Sequence, residues 1–219
     1  MNSFKVAIDG PAGSGKSTIS GIISKRLGFT HIDTGAMYRA VTLAAIEKEI
    51  NLNNEEEYHF LETTQISYHD NDIYLDGRNV SEAIRSKAVT DNVSLVASFP
   101  YVREKMVAAQ QLAISQGMII MDGRDIGTVV MTDADLKIFL TANVEERARR
   151  RKIQQAKKGL DENLDNVIEN IKVRDKKDSQ RELSPLKQAD DAVVVDTTNL
   201  TLEQTVEKII KLINNKKGV

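Results

Sequence analysis

The chain has no cysteine, which removes disulfides and thiolate metal sites from consideration. That leaves the compartment open, although a chain without disulfides is natural in a reducing cytosol. Histidine is scarce: His31, His59 and His69 have no partners at metal-ligand spacing and read as structural or solvated side chains. No apolar run reaches membrane-spanning length, and the opening segment MNSFKVAIDG lacks the apolar stretch of a secretory leader, so a soluble, cytoplasmic protein is expected. Net charge is nearly absent too. At −2 over 219 residues there is no whole-molecule field to argue for nucleic acid or an anionic membrane, and any charged substrate has to be met by a local cluster. The chain shows no internal repeat, no low-complexity tract, no arrangement resembling a catalytic triad, and no N-K-x-D, the tetrapeptide with which GTPases read guanine. Its length suits one domain with a core of its own and room for an insertion.

Against these absences stands the stretch AIDGPAGSGKSTIS. Gly10, Gly15, Lys16 and Ser17 satisfy G-x-x-x-x-G-K-[ST], and the required context is present, with a strand pattern over Phe4–Ile8 and a helix pattern over Ser17–Leu27. The glycines let backbone N–H groups turn inward around phosphate oxygens, and the helix dipole points its positive end at the same spot. The run Gly10, Pro11, Ala12, Gly13, Ser14, Gly15, Lys16, Ser17 and Thr18 therefore reads as an ATP-phosphate cradle rather than an ordinary glycine-rich turn. Lys16 would reach the β- and γ-phosphates, Ser17 would hold Mg²⁺ through its hydroxyl, and Thr18 would pack as the next helical neighbour.

Short apolar runs alternate with segments of helical period, the pattern of an α/β fold with a parallel sheet. The runs are Phe4–Ile8, Phe29–Asp33, Met118–Asp122, Leu136–Leu140 and Ala192–Asp196. Helices are expected at Ser17–Leu27, Gly35–Ile50, Tyr101–Ser115, Val144–Lys157, Leu164–Lys177 and Leu202–Asn214, with start signals at Asn143 before Glu146 and at Thr201 before Gln204. A sheet of this kind presents its ligands at the carboxyl ends of its strands, where Asp33, Asp122 and Asp196 fall. The rhythm breaks over residues 51–98, where Ile66, Tyr68, Ile73, Tyr74 and Leu75 surround the turn-formers Asp70, Asn71 and Asp72, as in a small hairpin. This insertion either sits by the phosphate loop or is a peripheral elaboration, which costs little entropy.

A phosphate loop alone does not separate a kinase from a switch or a motor. A second constellation bears on that choice. HIDTGAMYR supplies Asp33, Thr34 and Arg39, and MIIMDGRDIGT supplies Asp122, Arg124 and Asp125, each beyond a strand. Guanidinium forks suit a second, monophosphate group, and two phosphate sites together imply phosphoryl transfer; the plainer alternative for each arginine is a surface ion pair. The basic run EERARRRKIQQAKKG admits three readings. Arg147 and Arg151, with Arg174 and Arg181 from the following helix, could form a lid that closes over ATP phosphates; the run could also be a solvated face or a nucleic-acid patch. Near-neutral charge and the lack of interleaved aromatics rank the nucleic-acid reading last.

Taken together, GPAGSGKST, DTGAMYR, FPYVRE and DGRDIGT resemble the bacterial cytidylate kinase family over nearly the whole chain. The resemblance implies a five-stranded parallel sheet flanked by helices, with a core of residues 1–50 and 99–219, a lid at about 143–182 and an inserted monophosphate-binding domain at 51–98. It implies transfer of a phosphoryl group from ATP to CMP or dCMP. Thr34, Arg39 and Arg124 would meet the CMP phosphate, Ser94, Arg103 and Asp125 would read cytosine, and Arg174 and Asp178 would hold the ribose. Lys16, Arg124, Arg147, Arg151 and Arg181 would carry the catalytic charge. The family commonly has serine where this chain has Thr34, a change that keeps the hydroxyl. Mg²⁺ would arrive with ATP, held by Ser17 directly and by Asp33 or Asp122 through water. The expected partners are ATP and CMP or dCMP, with no nucleic acid and no membrane, and a monomer is expected.

The residue chemistry agrees with that base assignment. Cytosine offers a donor at N4 and acceptors at N3 and O2, whereas uracil reverses the first two. Asp125 can accept from N4 and Arg103 can donate to N3 or O2; the alternative for Asp125 is a simple partner for Arg124. Rival functions are a kinase for another acceptor, such as UMP or a small metabolite, and a nucleotide-dependent switch.

Overall fold

Helical crossovers between successive strands favour parallel pairing, and the chain does this. The computed structural model describes residues 3–69, 72–114, 117–156, 159 and 162–218. In chain order the elements are β1 (Phe4–Asp9), α1 (Lys16–Leu27), β2 (Thr30–Asp33), α2 (Thr34–Glu47), β3 (Ile66–His69), β4 (Asp72–Leu75), β5 (Arg78–Asn79), α3 (Lys87–Val96), α4 (Pro100–Leu112), β6 (Met118–Gly123), β7 (Leu136–Thr141), α5 (Val144–Ala156), α6 (Leu164–Gln180), β8 (Val193–Asp196) and α7 (Leu202–Lys217). Five strands form one parallel sheet in the order β2-β6-β1-β7-β8, as the α/β alternation implies. The register pairs Ile8 with Asp122 and Asp9 with Gly123, and on the other side Asp9 with Phe139. The residue after β1 and the residue after β6 therefore leave the sheet side by side. This juxtaposition builds the site.

The chain divides into two compact units, residues 1–31 with 116–219, and residues 32–115. In the first, Val6, Ile8, Ile120, Ile138, Leu140 and Val195 of the sheet pack with Ile19 and Ile23 of α1 and Val206, Ile209 and Ile213 of α7. Burying side chains of this kind contributes roughly 1.5–3 kcal/mol each before entropy is counted, enough to define this face of the sheet. A satellite cluster of Ala148, Val167 and Ile171 joins α5 to α6. The second unit is wider than the inserted stretch expected at 51–98, because α2 packs against α3 and β4 and so belongs with them. Its small sheet runs β3-β4-β5 antiparallel, with Ile66 opposite Leu75 and Tyr68 opposite Ile73. The hairpin is where the sequence places it; its turn-formers Asp70 and Asn71 lie outside the described residues.

Local signals hold closely. Asn143 Oδ1 accepts from Glu146 N at 2.8 Å, and Thr201 and Gln204 exchange both bonds of a capping box. Several bounds shift: α2 ends at Glu47 rather than Ile50, α4 runs Pro100–Leu112 rather than Tyr101–Ser115, α6 extends to Gln180, α7 to Lys217, and β8 starts at Val193. Proline at the first turn explains the earlier start of α4, since its missing N–H is unpaired there anyway. Lys157 and Ser115, expected as helix ends, lie outside the described residues. Among the described residues no helix is long and apolar enough to cross a membrane.

Candidate active site

Gly10 opens the phosphate loop at φ +152°, and a Cβ there would stand 2.0 Å from the Leu140 carbonyl oxygen, so only glycine lets β1 leave the sheet past β7. Gly15, in the left-handed region at φ 95°, hands the chain into α1. Lys16 is buried; its Nζ donates to Gly10 O at 2.8 Å, to Pro11 O at 2.9 Å and to Ser14 Oγ at 3.3 Å, which holds its charge inside the loop. One helical step on, Ser17 Oγ donates to Asp122 Oδ2 at 2.7 Å, and His31 Nε2 lies 2.6 Å from the other oxygen, Asp122 Oδ1. His31, read from sequence as structural or solvated, thus fixes the orientation of a site carboxylate. Asp33 is placed differently from Asp122: its Oδ1 caps α2 by accepting from Ala36 N at 3.0 Å, and its carbonyl accepts from the Tyr68 hydroxyl. Asp196 turns the chain after β8 by accepting from Thr198 N and Oγ1.

Beyond β6 the chain places Arg124 and Asp125. Arg124 Nε donates to Asp178 Oδ2 at 2.8 Å, and its Nη1 to Gly123 O at 3.3 Å. Burial works against the Arg124 charge, but Asp178 outweighs it and raises the guanidinium above its ordinary value. Burial also pushes the Asp178 carboxyl up, yet the guanidiniums of Arg124 and Arg174 override this and hold it below the usual carboxylate range. Arg174 is the other side of that balance: burial first, then the Arg124 charge, push it down to about 10. Its Nε is buried with no hydrogen-bond partner among the described residues. A buried donor in that state gains from a ligand oxygen. Asp125 is buried, with Arg181 Nη2 3.6 Å from its Oδ1, while Arg181 Nε donates to Ser184 O at 2.6 Å. Arg124 and Asp125 thus face Asp178 and Arg181 respectively.

The basic helix α5 splits by side chain. Arg147 points inward, donating from Nε to Ala142 O at 2.9 Å and from Nη1 to Ala12 O at 3.0 Å and Asp175 Oδ2 at 2.5 Å, while Asp175 Oδ1 accepts from Ala12 N at 3.1 Å. The guanidinium expected over ATP phosphates is engaged in rooting α5 and α6 on the phosphate loop. Arg150 donates to Thr197 Oγ1 and O, at 2.9 and 2.7 Å. Arg149 is exposed, and Arg151, half-buried, donates to Gln154. Asp175 and Arg150 are site-building residues that the sequence reading missed; an Asp or Arg on a helix carries no local mark of a partner 163 positions away, as Ala12 is from Asp175, or 47 away, as Thr197 is from Arg150.

In the unit of residues 32–115, Thr34 is buried at the start of α2, and Arg39 Nη1 donates to Ile84 O at 3.1 Å and Thr90 Oγ1 at 3.0 Å. Ser94 lies half-buried on α3. Arg103 on α4 is buried, with Nη1 3.3 Å from Ala97 O and its guanidinium over the Tyr38 ring, 5.4 Å from the centroid.

Residues 6–215 match the sequence model of the cytidylate kinase family. The chain belongs to the cytidylate kinase family. A cytidylate kinase of Acholeplasma laidlawii is 61% identical over 219 residues, covering 100% of this chain and 99% of that one. A cytidylate kinase of Bacillus cereus is 47% identical over 216 residues, covering 96% of each. Among solved structures, an uncharacterized protein from Eubacterium ventriosum superposes with a TM-score of 0.51 at 10% identity, covering 96% of this chain and 98% of that one, which bears on the fold alone. As a member of the cytidylate kinase family the chain is a phosphotransferase, a nucleoside monophosphate kinase.

Asp9, between the two site loops, carries a pH prediction. Burial raises its carboxyl from 3.8 to about 6, and the Asp125 charge adds to this, while hydrogen bonds from Gly127 and Ile126 and the Lys16 charge oppose it. A carboxyl raised in the folded state binds its proton more tightly there than in the unfolded chain. Its stabilising contribution is complete below about pH 4 and disappears as pH rises through about 6. Two pKa units correspond to about 3 kcal/mol. The Tm of the wild type, measured relative to Asp9→Asn, should therefore fall between about pH 4 and pH 7. A Tm difference that stays flat across that range would show that Asp9 does not titrate there.

Proposed function

We propose that this chain transfers the γ-phosphoryl group of ATP to CMP or dCMP with the division of labour that follows. The observation that carries it is the strand register: the phosphate loop after Asp9 and the Arg124–Asp125 segment after Gly123 start from paired positions on β1 and β6. A donor phosphate site and an acceptor site that begin side by side suit in-line transfer, which asks for positioning and charge neutralisation rather than a covalent nucleophile.

The loop amides and Lys16 bind the ATP phosphates. Arg124, braced by Asp178, meets the CMP phosphate together with Thr34 and Arg39. Arg174, whose Nε has no hydrogen-bond partner among the described residues, and Asp178 take the ribose. Asp125 and Arg103, with Ser94, read cytosine. The CMP phosphate oxygen forms the new bond to the γ-phosphorus as the bond to the β–γ bridging oxygen breaks, and the electron pair leaves on ADP. The acceptor is already an anion, so no general base is assigned. Arg151 and Arg181 supply lid charge, whereas Arg147 positions α5 through Asp175 and Ala12. The Ser17 hydroxyl and Asp122 carboxylate, 2.7 Å apart, are hard oxygen donors that fit Mg²⁺. Ser17 would hold it directly and Asp122 through water, in preference to Asp33, whose carboxylate caps α2. Mg²⁺ bound with the nucleotide offsets charge on the phosphate oxygens.

The test is an acceptor panel at fixed MgATP. ADP release should depend on CMP or dCMP; release without any acceptor would favour a switch, and preference for another acceptor would displace the cytidine reading. The arginines of α5 should separate. Arg151→Gln is expected to lower kcat by roughly tenfold with little change in Tm, since its charge acts in the transition state. Arg147→Gln leaves Asp175 and Ala12 O without their cation and should lower Tm by roughly 5–10 °C. Unchanged turnover in Arg151→Gln would return that side chain to a solvated role.

A further inference from the structure

Asp9 is buried, and none of the roles above falls to it. Each of its carboxylate oxygens has a backbone amide: Oδ1 accepts from Ile126 N and Oδ2 from Gly127 N, both at 2.8 Å. These amides open a single π-helical turn, Ile126–Val130, which begins immediately after Arg124 and Asp125. The first amides of any helical turn have no partner within it, so their direction is set by whatever accepts from them. Here the acceptor is rooted: Asp9 is paired with Gly123 on one side and Phe139 on the other, and the next residue is Gly10, wedged against Leu140. The fit on the turn side is close. A Cβ on Gly127 would stand 3.4 Å from Asp9 Oδ2 and 3.1 Å from Lys137 Cδ.

We propose that Asp9 is a positioning residue for the acceptor nucleotide: through the amides of Ile126 and Gly127 it holds Arg124 and Asp125 in fixed register with the phosphate loop. The base-reading part of this rests on the role assigned above to Asp125. A carboxylate is suited to the task because it accepts along both oxygens and its hydrogen bonds are charge-assisted. Asparagine of the same shape offers one acceptor and turns an N–H donor toward the other amide. The charged groups facing Asp9 are Asp125, which opposes its ionisation, and Lys16, which favours it.

The experiment compares Asp9→Asn, Asp125→Asn and the wild type at pH 8. Hydrogen exchange of the segment from Gly123 to Met131 is measured together with KM for CMP and for ATP and the CMP to UMP ratio of kcat/KM. In Asp9→Asn the amides of Ile126 and Gly127 should exchange roughly tenfold faster. KM for CMP should rise about fivefold, KM for ATP should change less than twofold, and the specificity ratio should drop. Unchanged exchange, or equal rises in both KM values, overturns the proposal. If Asp125→Asn leaves the specificity ratio unmoved, the base-reading role fails by itself, and faster exchange with a selective rise in KM for CMP still supports Asp9 acting through Arg124. Should Asp9→Asn not fold, Asp9→Glu keeps the charge but carries the carboxylate one methylene past the two amides; the same selective rise in KM for CMP is expected, and wild-type values overturn the proposal.

Discussion

Replacing Lys16 by methionine is expected to lower kcat with CMP by on the order of a hundredfold or more, the scale found when a preorganised charge donor is removed from a site of developing charge. Methionine keeps most of the stem and deletes the ammonium. The fold should survive, because Gly10 O, Pro11 O and Ser14 Oγ, which accept from that ammonium, belong to the loop itself. The apolar cluster that joins the sheet to α1 and α7 does not involve it. The same bonds bear on mechanism. With its charge directed at loop carbonyls, Lys16 is held within the cradle, and an anionic phosphate oxygen adds an ion–ion attraction that a neutral carbonyl cannot supply. Steady-state kinetics and a melting curve on the same preparation check the prediction. A folded variant with wild-type turnover would mean that this loop is not where the transferred phosphoryl group is bound.

The parts of this structure that were legible in the sequence are those whose cause is local. The phosphate loop needs glycines where backbone must approach backbone, and Gly10 against Leu140 O is such a place. Asn143 and Thr201 cap helices through atoms three residues away. Apolar runs alternating with helical segments gave the parallel sheet, because central strands such as β1 and β6 are buried along nearly their whole length and so read as continuous apolar runs. β5, at two residues, is too short to carry a pattern at all.

The residues that shape the site from behind were not legible. Asp9 meets Ile126 across 117 positions, Asp175 meets Ala12 across 163, and His31 meets Asp122 across 91. Nothing in the neighbourhood of an aspartate or histidine records such a partner. The basic run shows the same limit: spacing puts Arg147, Arg150 and Arg151 on neighbouring turns, but which one turns inward depends on Asp175 and the Ala12 carbonyl, both supplied by other elements.

The substitution Asp125→Asn should cause the largest change in selectivity. The side chain keeps its size, but its amide can rotate to present a donor, which suits O4 of uracil, as readily as an acceptor, which suits N4 of cytosine. Discrimination then weakens from both directions. For CMP, kcat/KM is expected to fall by roughly tenfold or more, the equivalent of about 1.4 kcal/mol, because a charge-assisted acceptor has become a neutral one. For UMP it should hold or improve, because the carboxylate that repelled O4 has gone. The structure adds a second consequence. Asp125 raises the carboxyl of Asp9 and stands 3.6 Å from Arg181, so its neutralisation relieves Asp9 and leaves Arg181 with one anion fewer. The apparent titration of Asp9 should therefore move down in Asp125→Asn, toward the ordinary carboxylate range, and the Tm difference described above should lose part of its pH dependence. Arg103→Ala provides the contrast: it removes a donor without adding anything for the wrong base, so CMP and dCMP should weaken alike with no gain for UMP. The measurement is the CMP to UMP ratio of kcat/KM in the wild type and both variants. A ratio unmoved by Asp125→Asn would leave Asp125 as the ion partner of Arg181, and cytosine would have to be read by Arg103 and its neighbours on α3 and α4.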